Sequence, residues 1–191
     1  KSAVLSRGNT AAYVFEFTGA DDVIIEDLTI QGAGNGIYAA AGAASTGVTV
    51  RGNLIQSNSS AGINLNASNN NWTVSGNTLR GQSGGGLGQS YGVFISGASN
   101  TLITGNTMVL NSQNGLYLAG PSVLALENSV TASSTGIYAA GWSDIVIRRN
   151  TVFANTATGI YTEYAGTGTQ TLVEENTVYG NASSGIYISY S

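Results

Sequence analysis

A three-residue unit, glycine then an aliphatic then an aromatic residue, recurs along the chain, and no other feature limits the possible folds as much. It reads Gly36-Ile37-Tyr38, Gly62-Ile63-Asn64, Gly92-Val93-Phe94, Gly115-Leu116-Tyr117, Gly136-Ile137-Tyr138, Gly159-Ile160-Tyr161 and Gly185-Ile186-Tyr187, at steps of 26, 30, 23, 21, 23 and 26 residues. Tyr13-Val14-Phe15 is read as a degenerate first copy, giving eight. Between the copies lies a second unit, an aliphatic strand ending in asparagine and Ser or Thr. It occurs as Gly76-Asn77-Thr78, Gly105-Asn106-Thr107, Glu127-Asn128-Ser129, Arg149-Asn150-Thr151 and Glu175-Asn176-Thr177, with Gly52-Asn53-Leu54 as a variant. In the first coil Glu26-Asp27 takes that place. From asparagine to the next glycine the count is nine at Asn53, Asn106, Asn150 and Asn176, eight at Asn128 and fifteen at Asn77.

A repeat of this length, holding three strands of four or five residues and three turns, suits a β-solenoid; helical repeats need longer units with a 3.6-residue period, which is absent. The fold class is therefore all-β: a single-stranded right-handed parallel β-helix of about seven and two-thirds coils of three short strands, with residues 1–191 as one domain. Successive side chains of a strand point to opposite faces, so the residue after each glycine (Val14, Ile37, Ile63, Val93, Leu116, Ile137, Ile160, Ile186) is expected inside. Val50, Val74, Ile103, Ile147 and Val173 form a second inward column, and Ile55, Leu79, Met108, Val130, Val152 and Val178 a third. Each such aliphatic contributes about 1.5–3 kcal/mol when fully buried. The asparagine column is expected at a sharp corner, taking up the left-handed backbone there and hydrogen-bonding amide to amide between coils. Asn58, Asn111, Asn155 and Asn181, five residues further on, mark a second, partial ladder.

Composition narrows the chemistry. The chain has no cysteine and no histidine, which removes disulfides, thiol catalysis and the commonest general base and transition-metal ligands. A net charge of −4, with six basic residues scattered along the chain, offers no stripe for phosphates, so no nucleic-acid partner is expected. Aliphatic runs fall far short of the roughly 20 residues of a spanning helix, so no membrane insertion is expected. Neither cofactor nor metal is called for. A lysine-poor, cysteine-free chain rich in Ser, Thr, Asn and Gly suits an extracellular or cell-surface protein.

The repeated asparagine with Thr-Val, the second asparagine and Gly-Ile-Tyr resemble the parallel β-helix repeats of the pectate-lyase-like superfamily, particularly its carbohydrate-processing and NosD-like members. The resemblance covers nearly the whole chain. It implies this architecture and a polysaccharide-related role, while the fold itself hosts lyases, hydrolases, epimerases, phage spikes, adhesins and noncatalytic scaffolds. In pectin-active relatives the substrate lies over the first strand, with acids, bases or calcium-binding carboxylates projecting from neighbouring coils.

On that face the outward position holds Phe15, Tyr38, Asn64, Phe94, Tyr117, Tyr138, Tyr161 and Tyr187. Three readings stand side by side: rings stacked to stabilise the sheet, an interface with another protein, or a platform for sugar rings. The candidate substrate-binding or interface residues are Tyr38, Phe94, Tyr117, Tyr138, Tyr161 and Tyr187 with Glu163. Gly81 to Tyr91, Ala39–Thr46 and Glu163–Gln170 are expanded connections beside the same strands, where binding residues or plain insertions can sit. No catalytic residue is assigned. Glu16 and Glu163 are the carboxylates close to first strands; six coils apart they would lie roughly 29 Å from each other, beyond the 5–9.5 Å of a glycosidase pair. Asp21-Asp22 with Glu26-Asp27, the one dense acidic group, reads as an exposed end-cap rather than a calcium site. Glu127, Arg149 and Glu175, with Arg148 near Glu174, read as exposed ion-pair ladders, not as an arginine base. The Thr78, Thr107, Ser129, Thr151 and Thr177 column is too interrupted outward for ice binding. The Asn-x-Ser/Thr triplets at Asn58, Asn66, Asn71 and Asn181 need nothing beyond chance in so Asn- and Ser-rich a chain.

The chain starts in a third strand at Ala3-Val4-Leu5 and stops in a first strand at Gly185-Ile186-Tyr187-Ile188. It is read as a processed chain or a segment of a longer solenoid, or as one whose ends meet other molecules head to tail. The preferred function is a noncatalytic extracellular structural or adhesive solenoid, associating with itself end to end or side by side. The alternative is a polysaccharide lyase, hydrolase or epimerase, or a fragment of one, holding glycan on the aromatic face.

Overall fold

Alternating aliphatic and polar residues, broken every few positions by a left-handed residue, give strands three to six residues long that cannot pair within their own coil. Each therefore pairs in parallel with its counterpart one coil away. In the computed structural model, which describes residues 3–82, 88–141, 144–164 and 170–190, every strand pairing is parallel. The chain winds into a β-solenoid with eight first-strand, seven second-strand and eight third-strand segments. Ala3–Phe17 and Leu28–Ala39 each run through a third and a first strand without a break. The second strands, Ile24–Glu26 to Thr171–Glu174, form a seven-stranded sheet of their own.

The three predicted columns fill the interior. Ile37, Ile63, Val93, Leu116, Ile137 and Ile160 lie on one another in register and are fully buried, as are Val50, Val74, Ile103 and Ile147, and Ile55, Leu79, Met108, Val130 and Val152. Ile186, in the last coil, is 48 % exposed. The glycine before the first column is held by space, not by backbone conformation. A Cβ on Gly136 would stand 2.6 Å from the Gly159 carbonyl oxygen and 2.4 Å from Val152 Cγ1, and Gly36, Gly62, Gly92, Gly115 and Gly159 meet the next glycine's carbonyl in the same way. Trp72 closes one corner: its indole N–H donates to the Ser45 carbonyl at 2.9 Å, and Phe17 meets its ring edge-on at 4.9 Å.

Two readings of the sequence change. The first coil slips. Phe15, not Val14, pairs with Ile37, and Glu16 pairs with Tyr38, because the register shifts between Asn9 and Tyr13. A one-residue slip exchanges the two faces of a strand, so Phe15 leaves the aromatic column and Val14 leaves the aliphatic one. The second change concerns the corner. The left-handed residue is the one before each asparagine (Gly52, Gly76, Gly105, Glu127, Arg149, Glu175), and in the first coil it is Asp27, with Leu28 in the asparagine's place. The asparagines instead turn their amides inward. From Asn77 through to Asn176 each Oδ1 accepts both the backbone N–H and the Nδ2 of the preceding asparagine, at 2.8–3.0 Å, and the Asn53 Oδ1 accepts the Leu28 N–H at 3.0 Å. This satisfies backbone groups that the corner leaves without a strand partner.

The second ladder is more complete than its asparagines suggest. Gln89 is fully buried and bridges Asn58 and Asn111, at 3.3 and 2.9 Å, across the coil with the long connection. Residues 83–87 of that connection and 165–169 of the one after Glu163 lie outside the described residues. The exposed ion pairs run as expected: Arg149 reaches Glu175 at 2.7 Å and Glu127 at 3.8 Å, and Arg148 reaches Glu175 and Glu174 at 2.8 and 3.3 Å.

Candidate functional site

Strand register brings Tyr38, Asn64, Phe94, Tyr117, Tyr138, Tyr161 and Tyr187 onto one line up the outer first-strand face, one per coil. The inward Ile, Val or Leu before each of them fixes which way it points. From Phe94 onward the rings stack without a gap, at centroid separations of 4.7, 5.2, 4.9 and 5.1 Å and interplanar angles of 11, 3, 8 and 29°. Stacked rings cover one another's faces. Solvent therefore meets ring edges and phenol oxygens, so this run is a row of hydroxyls rather than a platform of open ring faces.

Asn64 breaks the line. Its Nδ2 donates to Asn35 Oδ1 at 3.3 Å, and its Oδ1 accepts from Asn66 Nδ2 at 3.1 Å. On the far side Tyr13 lies flat on Tyr38, with centroids 4.2 Å apart and planes 9° apart. The slipped first coil thus supplies Tyr13 where Phe15 was expected. Tyr91 is a second aromatic not foreseen on this face. It meets Phe94 edge-on at 4.9 Å and Tyr117 at 6.0 Å, and its hydroxyl donates to the Gln113 side-chain oxygen. The sequence signal was an aromatic residue directly before Gly92.

Glu163 comes to the end of its first strand, in register with Ala140 and Ser189, and accepts a hydrogen bond from the Tyr138 hydroxyl. Burial raises the Tyr138 phenol far above the ordinary tyrosine range, and the hydrogen bond to Glu163 and that carboxylate's charge push the same way. Tyr38 and Tyr91 are raised too, each mainly by burial. These phenols hold their protons and serve as donors. The arginines are placed elsewhere. Arg51 pairs with Glu26 at 2.6 Å, Arg148 and Arg149 pair at the second-strand ends, and Arg80 ends a third strand. Arg7 lies at the edge of the first coil, where it donates to the Tyr13 carbonyl at 2.8 Å. Glu16 and Glu163 are the carboxylates of the face among the described residues, and they remain coils apart.

A family model described as "Right handed beta helix region" matches residues 88–191, and one described as "Periplasmic copper-binding protein (NosD)" matches residues 3–123. No curated protein sequence matches the chain. Among solved structures, the alginate lyase from Paenibacillus sp. str. FPU-7 superposes with a TM-score of 0.71 at 16 % identity, over 97 % of this chain and 80 % of that one. The periplasmic alginate epimerase AlgG superposes with a TM-score of 0.68 at 16 % identity, over 94 % of this chain but about half of its own, 47 %. The Streptococcus pneumoniae surface protein and adhesin PfbA superposes with a TM-score of 0.58 at 13 % identity, over 91 % of this chain and 50 % of that one. At such identities the likeness is one of fold.

The copper in the second description can be tested against the donors present. Copper takes imidazole, thiolate or thioether ligands. This sequence has no His and no Cys, its one Met, Met108, is fully buried in the core, and among the described residues no three metal-binding side chains converge. These residues do not fit a copper site. Each family model takes in more than half of the chain, and the described residues form a stack of parallel coils without a helix; the chain belongs to the right-handed parallel β-helix family, and its residues 3–123 match the NosD model.

Proposed function

We propose that this solenoid is a noncatalytic glycan-binding protein that works outside the cytoplasm, holding an extended neutral polysaccharide along its first-strand face. The observation that carries this is the row of phenol groups from Tyr117 to Tyr187, one per coil at a pitch near 5 Å. That repeat is commensurate with successive sugar residues of an extended glycan, whose hydroxyls can both donate to and accept from a phenol. The face carries Glu16 and Glu163 and, Arg7 at its edge apart, no arginine, so a neutral chain is favoured over a uronate. The relatives' descriptions support a carbohydrate setting through alginate lyase and epimerase, and a periplasmic or surface location.

Noncatalytic action is supported by the chemistry of the one titratable pair. Tyr138 keeps its proton to high pH, which unsuits it as a base, and Glu16, the other carboxylate of this face among the described residues, lies coils away from Glu163. Native electrophoresis through gels containing mannan, mixed-linkage glucan, alginate or polygalacturonate tests this. Neutral polymers should retard the protein, Tyr138→Ala should move freely, and no new reducing or unsaturated ends should appear. Equal mobility in every gel, or turnover that Glu163→Gln abolishes, would sink the reading.

Side-by-side pairing of two copies is a second reading, favoured by the outward face of the second-strand sheet. Leu102, Leu124, Val146 and Leu172 line up there in four successive coils, and Leu124 and Leu172 are 37 and 48 % exposed. The stripe is rimmed by both charge signs, Arg148 and Glu174, which suits a self-complementary contact. Sedimentation velocity should show a dimer that Leu124→Glu dissolves; a monomer at all concentrations counts against it.

A further inference from the structure

Among the described residues no ring stacks on the Asn64 side of Tyr38 or of Phe94, and these two ring faces look into the same space. Tyr38 has Tyr13 on one side, and Phe94 has Tyr117 on one side. The opposite faces both turn toward Asn64, which pairs in register with Tyr38 below and Phe94 above. Tyr91 meets Phe94 edge-on and sends its hydroxyl away from Asn64, to Gln113 one coil beyond. Asparagine is much shorter than tyrosine, so its amide forms a floor between two aromatic walls.

We infer that this slot between Tyr38 and Phe94 grips one hexopyranose ring of a neutral glycan, with the Asn64 amide bonding its hydroxyls. The inference rests on the reading of the chain as a glycan-binding protein and assigns that binding its anchor. The dimensions admit a single ring layer. Two coil spacings of about 4.8 Å place the walls roughly 9.6 Å apart. Carbon contacts of about 3.7 Å on each side take up about 7.4 Å of this, leaving roughly 2 Å for the thickness of the ligand's own ring atoms. A puckered saturated ring, with axial C–H groups on both sides, touches both walls and meets the electron-rich ring faces as sugars do on aromatic residues.

The floor has matching valences. Asn64 spends one N–H on Asn35 and one lone pair on its oxygen on Asn66. One N–H and one lone pair remain, enough to receive one hydroxyl and donate to another. Asn66 and Asn35 stand beside it as further amides. Glu16, in register with Tyr38, is the nearest charge along the column, and it would repel a carboxylated sugar. From Phe94 to Tyr187 the facing rings of neighbouring coils close on one another by stacking, so within the line the slot is where ring-to-ring contact with a sugar is geometrically open.

Asn64→Tyr tests this directly, because it completes the ladder with the residue most of the other coils use. The probes are cellohexaose, mannohexaose, laminarihexaose and hexamannuronate, titrated calorimetrically against the whole chain. Asn64→Tyr should fold with an unchanged or higher melting temperature and lose at least about tenfold in affinity for the neutral hexasaccharide that binds best, whereas Tyr179→Ala, an exposed ring stacked on Phe153 on the third-strand face, should lose less than about threefold. Tyr38→Ala, which removes one wall without filling the gap, should match the tenfold loss, so the result does not depend on how the introduced tyrosine packs. Unchanged affinity in both Asn64→Tyr and Tyr38→Ala overturns the slot and leaves the glycan reading standing. No binding of any of the four by the unsubstituted chain overturns both, and tighter binding of hexamannuronate overturns the neutral assignment.

Discussion

Asn128 gives both its backbone N–H and its side-chain Nδ2 to a single atom, the Oδ1 of Asn150, at 2.9 and 3.0 Å. Asn128 in turn accepts two such bonds from Asn106 and donates to the Ile103 carbonyl at 3.0 Å. Its replacement by alanine therefore takes the partner from the Asn106 N–H and the Nδ2 donor from the Ile103 carbonyl in a dry corner, while the Asn106 amide keeps the Val74 and Thr104 carbonyls. With about 1–3 kcal/mol for each buried group left unpaired and partial relaxation, Asn128→Ala should cost about 3–5 kcal/mol in urea unfolding. A loss under about 1 kcal/mol would mean that the ladder does not hold the corner together.

Gly136 is predicted to be irreplaceable for a different reason. Its missing Cβ makes room for the Gly159 carbonyl and for Val152. Neither can retreat, one being backbone and the other in a packed column. Gly136→Ala should destabilise by about 1–3 kcal/mol, as overpacked cores do. The same change at exposed Gly42, where nothing lies within 4 Å, meets no such contact but must still accept a φ of +78°. Comparing the two in thermal unfolding separates crowding from backbone strain.

Thr162 occupies an inward position, between Ala139 and Ile188 in register, and its buried hydroxyl has no hydrogen-bond partner among the described residues. Valine has the same shape without the polar atom. Thr162→Val should raise stability by about 1 kcal/mol, and a loss of that size would show that the hydroxyl has a partner after all.

Tyr138 and Glu163 link the aromatic face to pH. Because the phenol's value is raised on folding, the folded chain holds that proton where the unfolded one gives it up. This contribution is whole below the ordinary tyrosine value, near pH 10, and is lost as pH rises beyond it. Alkaline unfolding should steepen above about pH 10. Glu163→Gln removes the carboxylate's charge but not the burial, so it should lower the Tyr138 value only part of the way. Phenolate absorbance at 295 nm, wild type against Glu163→Gln, reads this; coincident titrations would show that Glu163 does not act on Tyr138.

The columns were legible because they repeat: one aliphatic after each glycine and one asparagine after each second strand leave little choice of faces. What escaped depends on things that alternation does not encode. Tyr13-Val14-Phe15 alternates equally well in either register, and only the irregular pairing around Asn9 puts Phe15 inside and Tyr13 over Tyr38. The corner asparagines looked like the left-handed residues. The glycines before Asn53, Asn77 and Asn106 were the signal that the strain falls one position earlier. Gln89 was hidden because its coil is the longest, so it falls outside the regular spacing. At the candidate site, register carries the six aromatics and Glu163 to one face, but residue type says nothing about ring planes. Whether a tyrosine shows its face or its edge is set by the coil next to it.

The asparagine ladder also has a direction. Every oxygen in it receives from the coil before, and every Nδ2 reaches back to a carbonyl of that earlier coil, as Asn150 does to Ala125 and Asn176 to Ile147. A newly made coil thus completes its predecessor while its own donors wait for a successor. A chain that emerges amino end first would lock each turn by making the next one, with the unfinished bonds always at the growing tip.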